Sequence, residues 1–465
     1  MNNVLPTLNP ILAHWEAILT KKAGVSALFS PSGEALRTFD DLDREAEDFA
    51  ARFFDFPPGS VLGIKVFNSP EWPALYLAGI KRNLILLPMD ASLNAAAGES
   101  ILRMCGAVGC VILRNKVLEI QHLETKQIDW GCKKPDFLKM TSGTTAAPRV
   151  VLFTHEQIIA DCDNVCQAMG IESSDINYGV IAFSHSYGFS NLITPLICRG
   201  VPLVTASDMM PQAIVEGLQR SQATVFAGIP PLFNALLKLQ TALPESLRLL
   251  ISAGAPLSPD VACSFNAHYG RKIHSFYGSS ECGGICYDST LEPVTNGGFV
   301  GNPLPHLTLE KESEGEVEES QYRVRSSAAG LGYFPEEDSE TLGNGTFLPA
   351  DLLKKSKEGY RIVGRLSDLI NVGGRKINPA EVEAVIKHYS ATEECVVFGV
   401  PDAAKNESIH ACVVLKSASS EKELRAHCAQ ELATWQVPQH IHFVDQIPQT
   451  AGGKISRREL AKRFL

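Results

Sequence analysis

Basic residues are the minority charge in this chain: 42 Lys and Arg stand against 52 Asp and Glu, a formal net charge of -10. A surface of that sign argues against nucleic acid or an anionic membrane as the main partner, while leaving room for a local basic patch that binds an anionic ligand. Long apolar runs are also missing. The longest, such as Leu84–Pro88, are far too short to cross a bilayer. The opening MNNVLPTLNPILAHWEAI has no basic start followed by an apolar core, so no leader peptide and a cytoplasmic location are expected. The 12 cysteines include no CxxC pair and no zinc-ligand spacing, which points to dispersed, reduced, mostly buried thiols. Cys162 with Cys166, and Cys282 with Cys286, have the spacing of one helix face. Internal repeats and low-complexity tracts are absent.

What remains is the composition of an ordinary globular enzyme, 45% hydrophobic and 20% charged over 465 residues, too long for one domain. Periodicity gives repeated strand–helix units. VLGIKVF from Val61 reads as a buried strand, Pro70–Arg82 as a helix, LILLPM as a strand, the region around Ile101 as a helix and CVIL from Cys110 as a strand. A second series follows: strand Tyr178–Phe183, helix Phe189–Cys198, strand Val201–Thr205, helix Ile214–Arg220 and strand Thr224–Gly228. Phe233–Leu239 and Leu247–Ser252 continue the alternation. The fold class is therefore α/β, with mixed sheets covered by helices in a large N-terminal domain. From about Gly298 the pattern shortens to β-like pieces. The last hundred or so residues, with the helix INPAEVEAVIKHY and the short strands CVVFGV and HACVVL, read as a small α+β domain. The expected boundary lies at the connector GRLSD, giving domains 1–364 and 365–465.

The most informative segment is MTSGTTAAPRVVLFTHEQI, Met140–Ile158. Thr141, Ser142, Thr144 and Thr145 surround Gly143, and Arg149 follows. Small hydroxyls and exposed backbone N–H groups suit a phosphate-cradling turn, and a cation balances its charge. No Gly-Lys-Ser/Thr follows, so this is not the kinase and ATPase loop.

Here the chain resembles the adenylate-forming superfamily of acyl- and aryl-CoA ligases, peptide-synthetase adenylation domains and luciferases. That superfamily carries a Thr/Ser-Ser-Gly-Thr-Thr-Gly-x-Pro-Lys-Gly loop. Ala146 and Val150 replace two of its glycines and Arg149 its lysine. The resemblance recurs in order along the chain. SAGAPLS, Ser252–Ser258, is similar to an adenine-flanking loop, with Gly254, Ala255 and Pro256 at its centre. SFYGSSECGG, Ser275–Gly284, resembles a Tyr-Gly-x-Thr-Glu segment: it implies Tyr277 on adenine, Gly278, Ser279 and Ser280 beside the nucleotide, and Glu281 as magnesium ligand. FLPADL matches a Thr-Gly-Asp segment in its acid alone, implying that Asp351 receives the ribose hydroxyls.

GRLSDLINVGGRKINPAEVE, Gly364–Glu383, resembles the superfamily's interdomain hinge. It implies Arg365 at ribose and phosphates, Ser367 at the pivot and Gly373–Gly374 on the face that meets the thiol. IPQTAGGKISRREL has the form Pro-x-Thr-x-x-Gly-Lys-x-x-Arg, implying Lys454 as catalytic lysine and a mobile C-terminal domain. AFSHSYGFSN, Ala182–Asn191, resembles the acyl-pocket region, with His185, Ser186, Tyr187, Phe189, Ile229 and Gly284 as lining residues. Ser186 stands where peptide-synthetase domains carry an Asp for the α-ammonium, so an α-amino acid is not the expected substrate.

The implied enzyme activates a hydrophobic acyl or aryl acid with ATP and Mg²⁺ as an acyl-adenylate, then passes the acyl group to the thiol of coenzyme A. Two alternatives stand beside it: a synthetase loading the phosphopantetheine of a separate carrier protein, and a non-catalytic nucleotide-binding relative. Which acid is used, and the oligomeric state, are not encoded in these motifs.

Overall fold

A computed structural model describes residues 9–115, 117–141, 148–239, 241–312, 318–372, 375–402, 406–448 and 456–464, apart from the side chains of Ser367 and Arg458. The chain divides into two compact units. The first comprises Met1–Glu310, Arg323–Leu348 and Ser356–Arg361; the second comprises Lys311–Tyr322, Pro349–Lys355 and Ile362–Leu465.

The first unit is built on two large sheets. One runs in the order Gly332–Phe334, Val150–Phe153, Phe137–Met140, Ile85–Pro88, Val61–Lys65, Ala107–Arg114, Val117–His122. Its centre is parallel, and its edges are antiparallel hairpins. Strands Val61–Lys65 and Ile85–Pro88 are buried on both faces, which is why they read as unbroken aliphatic runs rather than alternating ones. The helix Trp72–Lys81 between them is buried at every position from Trp72 to Ile80, as a helix apolar all round must be. Its Trp72 and Tyr76 meet Phe137 and Phe189 in one aromatic cluster, where Phe137 and Phe189 stack at 4.4 Å.

The second sheet of this unit carries, in order, Ala35–Thr38, Ser26–Phe29, Leu203–Thr205, Asn177–Gly179, Val225–Gly228, Leu249–Ser252, Ile273–Ser279, Gly283–Tyr287 and Phe299–Pro303. The strands from Ser26–Phe29 to Ile273–Ser279 are parallel. Their C-terminal ends define one rim, where ligand crevices form in sheets of this kind. Asn68, just past the end of the first sheet's strand Val61–Lys65, joins that rim. Its amide nitrogen donates to the carbonyls of Gly179, Ile181 and Ala206 at 3.1, 3.0 and 3.2 Å, and its oxygen accepts from Phe183 N–H at 2.9 Å.

Two expectations change here. The strand expected over Tyr178–Phe183 ends at Gly179, because Asn68 takes backbone groups that a longer ladder would use. Cys282 and Cys286 do not share a helix: Cys286 lies on the strand Gly283–Tyr287, and Cys282 precedes it in the hairpin turn. Cys162 and Cys166 do lie on one helix, His155–Met169, with their sulfurs 4.0 Å apart. No described helix is long and apolar enough to cross a membrane.

The second unit contains the strands Arg375–Ile377, Ile370–Val372, Asn406–Leu415, Thr392–Asp402 and His440–Phe443 in one sheet. Helices Pro379–His388 and Glu421–Glu431 bring Val382, Ile386 and Leu424 onto its Ile409 and Val413 face. The two strands expected to be short form an 11- and a 10-residue antiparallel pair. On its other face, His410 Nδ1 lies 3.0 Å from His442 Nε2, the tilted rings of His440 and His410 lie 4.3 Å apart, and His442 stacks on Phe464.

Burial, and then the neighbouring imidazoles of His440 and His442, bring the His410 imidazole from its ordinary 6.5 down to about 4. The folded ring is therefore neutral where the unfolded ring takes up a proton. Stability from its neutral packing is complete above pH 6.5 and is lost as pH falls toward about 4. Melting of the protein followed against pH should show that decline, and His410→Gln should flatten it. An equally steep decline in the variant would assign the acid sensitivity to other groups.

Candidate active site

The strands Phe137–Met140 and Val150–Phe153 pair with Met140 opposite Val150, so residues 141–149 form the connection between them. Its mouth is closed by Thr141, whose N–H and hydroxyl donate to the Arg149 carbonyl at 3.2 and 3.4 Å. Ser142, Gly143, Thr144 and Thr145 lie outside the described residues. Arg149 places its guanidinium 3.9 Å from the centroid of the Tyr333 ring, a cation–π arrangement that suits a flat cation.

Tyr333 belongs to the strand Gly332–Phe334, which pairs with Val150–Phe153. Its hydroxyl donates to Glu281 Oε1 at 3.1 Å. Burial and the nearby Glu281 push that phenol above its ordinary range. Glu281 sits in the turn between Ile273–Ser279 and Gly283–Tyr287, where the Ser279 hydroxyl accepts the N–H groups of Glu281 and Cys282 at 3.2 Å each. A register shift between Tyr277 and Gly278 marks a bulge, a device that re-aims side chains near sites. Tyr277 itself is largely buried and Gly278 exposed. The second oxygen of Glu281 receives no hydrogen bond among the described residues. A carboxylate held by one oxygen with the other open is a suitable donor for a hard cation. Among the described residues no group of three His, Cys, Asp or Glu is placed to hold a metal.

Gly254 follows the strand Leu249–Ser252 with φ +84°, and Gly254, Ala255 and Pro256 are exposed at the strand-end rim. The left-handed turn there favours glycine. Ile229, after Val225–Gly228, lies within van der Waals reach of where a Gly254 side chain would start.

In the segment expected to line the acyl pocket, His185 Nε2 is 3.7 Å from Asp90 Oδ2. Burial pushes the Asp90 carboxyl up, but bonds from Ser92 and the charge of His185 outweigh it and hold it low. Ser186 donates to Ser280 at 2.9 Å, which ties this segment to the Glu281 hairpin. The Tyr187 hydroxyl is buried and donates to the carbonyls of Ile251 and Gly228 at 3.1 and 3.3 Å. Phe189, expected to line the pocket, is placed in the aromatic core instead. The helix expected from it begins as a π turn, Phe189–Ile193, before Thr194–Arg199. A side chain at Gly284 would collide with Leu304 and Phe276.

Sequence reasoning missed what lies beneath these elements. Lys139, on the strand entering residues 141–149, is 5% exposed, and its Nζ is 3.9 Å from Asp161 Oδ2. It also lies over the rings of Phe153 and Phe189. Burial pulls this ammonium below its ordinary range, and Asp161 opposes that. Asp161 Oδ2 accepts the Ser190 hydroxyl at 2.5 Å, and Oδ1 accepts Gly284 N–H at 2.9 Å. One buried carboxylate thus joins the strand Phe137–Met140, the helical turn Phe189–Ile193 and the Glu281 hairpin. Gly283 lies against it with φ +70°, and a Cβ there would fall 2.0 Å from Asp161 Oδ1. An ionisable pair in an apolar run such as FLKM gives no local signal.

In the second unit, Arg365 Nε donates to Asp351 Oδ1 at 2.6 Å. Asp351 is nearly buried, and Arg365 is exposed. The backbone of Ser367 lies in a short 3₁₀ turn, Leu366–Asp368. Gly373, Gly374 and Lys454 lie outside the described residues. Arg457, three positions beyond Lys454, bonds Asp368, Glu383 and the Val397 carbonyl at 2.7, 2.8 and 2.9 Å. It anchors the C-terminal motif to the segment expected to be the hinge.

Comparison with known proteins identifies the family. The family model described as AMP-binding enzyme matches residues 16–136 and 133–321, and the model for the AMP-binding enzyme C-terminal domain matches residues 381–454. A long-chain-fatty-acid–CoA ligase of Bacillus subtilis is 31% identical over 340 residues, covering 70% of this chain and 60% of that relative. An oxalate–CoA ligase of Arabidopsis thaliana is 26% identical over 458 residues, covering 88% of this chain and 89% of the relative. In fold, the chain matches the crystal structure of ATP-bound MatB from Rhodopseudomonas palustris with a TM-score of 0.84, at 21% identity, over 97% of this chain and 98% of that one. With both family models matched in order over most of its length, the chain belongs to the AMP-binding enzyme family.

Proposed function

We propose that this enzyme is an AMP-forming acid–thiol ligase that activates an apolar acyl or aryl acid and transfers it to coenzyme A. The observation that carries the reading is the convergence of Arg149, Glu281 and the Ser186–Ser280 contact on one side of the first unit. A phosphate-binding turn, a free carboxylate oxygen and an acyl-side helix are what adenylation of a carboxylate needs in one place. The names of the relatives support coenzyme A as the acceptor. They span a long-chain fatty acid and oxalate, so they do not select the acid. Two observations support an apolar acid: Tyr187 and Ile229, on the side expected to hold the acyl group, are aromatic and aliphatic, and Asp90, 3.7 Å from His185, would repel an anionic tail.

In this reading a carboxylate oxygen attacks the α-phosphorus of ATP, a P–O bond to pyrophosphate breaks, and an acyl-adenylate forms. The thiol sulfur then attacks the acyl carbon, its proton is lost, and AMP leaves. Both reactants of the first step are anionic, so the site must suppress their repulsion. Thr141, Ser142, Thr144, Thr145 and Arg149 would hold the phosphates around Gly143; Gly254, Ala255, Pro256, Tyr277 and Gly278 would flank the base. Ser279 orients the backbone at Glu281, which would hold Mg²⁺. When bound, that ion supplies Lewis-acid charge to the phosphate oxygens. Asp351 and Arg365 would hold the ribose. Lys454 would act during adenylation, and rotation at Ser367 would then present Gly373 and Gly374 to the thiol.

The test is a panel of carboxylic acids assayed for pyrophosphate release with ATP and Mg²⁺, with and without coenzyme A. Apolar and aryl acids should give release, and coenzyme A should yield a thioester. Adenylation without thioester formation until a phosphopantetheinylated carrier is added would assign the acceptor to a carrier protein. Nucleotide binding with no release for any acid would make the chain a non-catalytic relative.

A further inference from the structure

Arg149 and Glu281 carry opposite charges on segments that both border the Tyr333 segment, yet no ion pair joins them among the described residues. The ring of Tyr333 accounts for this. Its face carries the Arg149 guanidinium at 3.9 Å, and its hydroxyl edge donates to Glu281 Oε1 at 3.1 Å. The ring is 2% exposed and fixed from several directions. Tyr333 pairs with Val151, Leu331 N–H donates to the Leu152 carbonyl at 2.8 Å, and Gly330 N–H donates to the Glu281 carbonyl at 2.9 Å. Gln157 adds a bond at 2.5 Å to the Ala329 carbonyl while capping Thr154 N–H at 2.8 Å. The segment carrying Tyr333 is thus bonded to the strand that follows residues 141–149 and to the backbone of Glu281.

Two such charges left in contact would neutralise each other. A phosphate-binding cation would lose its charge to a carboxylate, and the carboxylate would lose an oxygen to a guanidinium. An aromatic ring between them prevents this, because its face attracts a cation while its hydroxyl edge donates to an anion. We propose that Tyr333 is a positioning residue that holds Arg149 and Glu281 apart, each ready for its own partner: Arg149 for the phosphates of ATP, Glu281 for the metal that accompanies them. The inference rests on the acid-activating reading above for the identity of those partners.

Binding rather than turnover is the decisive readout. Calorimetric titration with ATP at varied Mg²⁺, with no acid present, separates the two roles of the ring. Tyr333→Phe keeps the spacer and removes the hydroxyl; it should raise the Mg²⁺ needed for tight ATP binding by about 10-fold, the scale of losing a bond that orients a metal ligand. Binding at saturating Mg²⁺ should change little. Tyr333→Leu removes the ring and lets Arg149 reach Glu281, so it should weaken ATP binding even at saturating Mg²⁺. In an Arg149→Met background the Tyr333→Leu change should lose most of that effect, since no cation remains to collapse. Melting curves report whether each variant is folded, and Tyr333→Phe tests the hydroxyl role if Tyr333→Leu is not.

Wild-type Mg²⁺ dependence in Tyr333→Phe, or equal losses from Tyr333→Leu with and without Arg149, would overturn the proposal. A wild-type protein that binds ATP with Mg²⁺ but releases pyrophosphate with no acid would sink the ligase reading alone, and the binding series would still decide on Tyr333. A wild-type protein that binds no ATP would sink both.

Discussion

Asp161→Ala should destabilise the first unit by about 3–5 kcal/mol, the scale of leaving one charge of a buried pair uncompensated. Lys139 would lose its counter-charge, and the Ser190 hydroxyl and Gly284 N–H would lose their acceptor at once. The measurement is chemical denaturation followed by a signal from the first unit, such as fluorescence of Trp72 and its aromatic cluster. Lys139→Met in the same protein should recover part of the loss, because the methionine fills the site without a charge to bury. Asp161→Asn should lie between wild type and Asp161→Ala, keeping an acceptor but not the charge. A loss below about 1 kcal/mol for Asp161→Ala would place the pair among those worth little. Failure of Lys139→Met to recover any of it would mean that the hydrogen bonds, not the charge, matter.

The second large effect concerns Lys454, which the proposed mechanism confines to the first half-reaction. Lys454→Ala should slow pyrophosphate release from acid and ATP by about 10²-fold or more, the scale of removing one preorganised electrostatic group. Thioester formation from chemically made acyl-adenylate should survive in that variant. Gly374→Leu should do the reverse, obstructing the thiol while adenylate still forms. Equal loss of both steps in both folded variants would reject the alternation of two faces. Arg457 makes a useful contrast. It bonds Asp368 and Glu383, so its loss should loosen the fold of the second unit rather than separate the two half-reactions.

The elements legible in the chain are those whose pattern is local. Strands Val61–Lys65 and Ile85–Pro88 and helices Trp72–Lys81 and Pro379–His388 appear within a few residues of where periodicity puts them. Their aliphatic runs and capping residues are contiguous in sequence. What periodicity missed depends on distant partners. The strand at Tyr178 stops at Gly179 because of an amide from Asn68. Cys282 and Cys286 have helical spacing, yet the left-handed Gly283 between them turns the chain into a hairpin. Phe189 falls in a segment that reads as pocket wall, but the rings that capture it, Phe137, Tyr76 and Trp72, come from earlier strand–helix units. The candidate site follows the same rule. Its motifs are short and contiguous, so Thr141, Arg149, Glu281 and Ser186 could be named from sequence. Tyr333, Lys139 and Asp161 are single residues in unremarkable segments, and only the register of the sheets brings them to the motifs. The histidines at 440 and 442 were the exception: an alternating pair on one strand face could have been read from the period of two.

The contact between Gly283 and Asp161 also constrains how this sequence can change over generations. With φ +70° and a carboxylate 2.0 Å from where a side chain would begin, position 283 has no viable single replacement while Asp161 stands. Position 161 is bound in turn, because a longer acid would drive into the same backbone. The two sites therefore form a ratchet. Any lineage that exchanges the buried acid for a small residue must also dispose of the cation at 139, and position 283 then loses its steric clash but keeps a left-handed turn that still favours glycine. Descendants of this chain should keep Lys139 and Asp161 together or replace them together, and should keep Gly283 wherever Asp161 is kept.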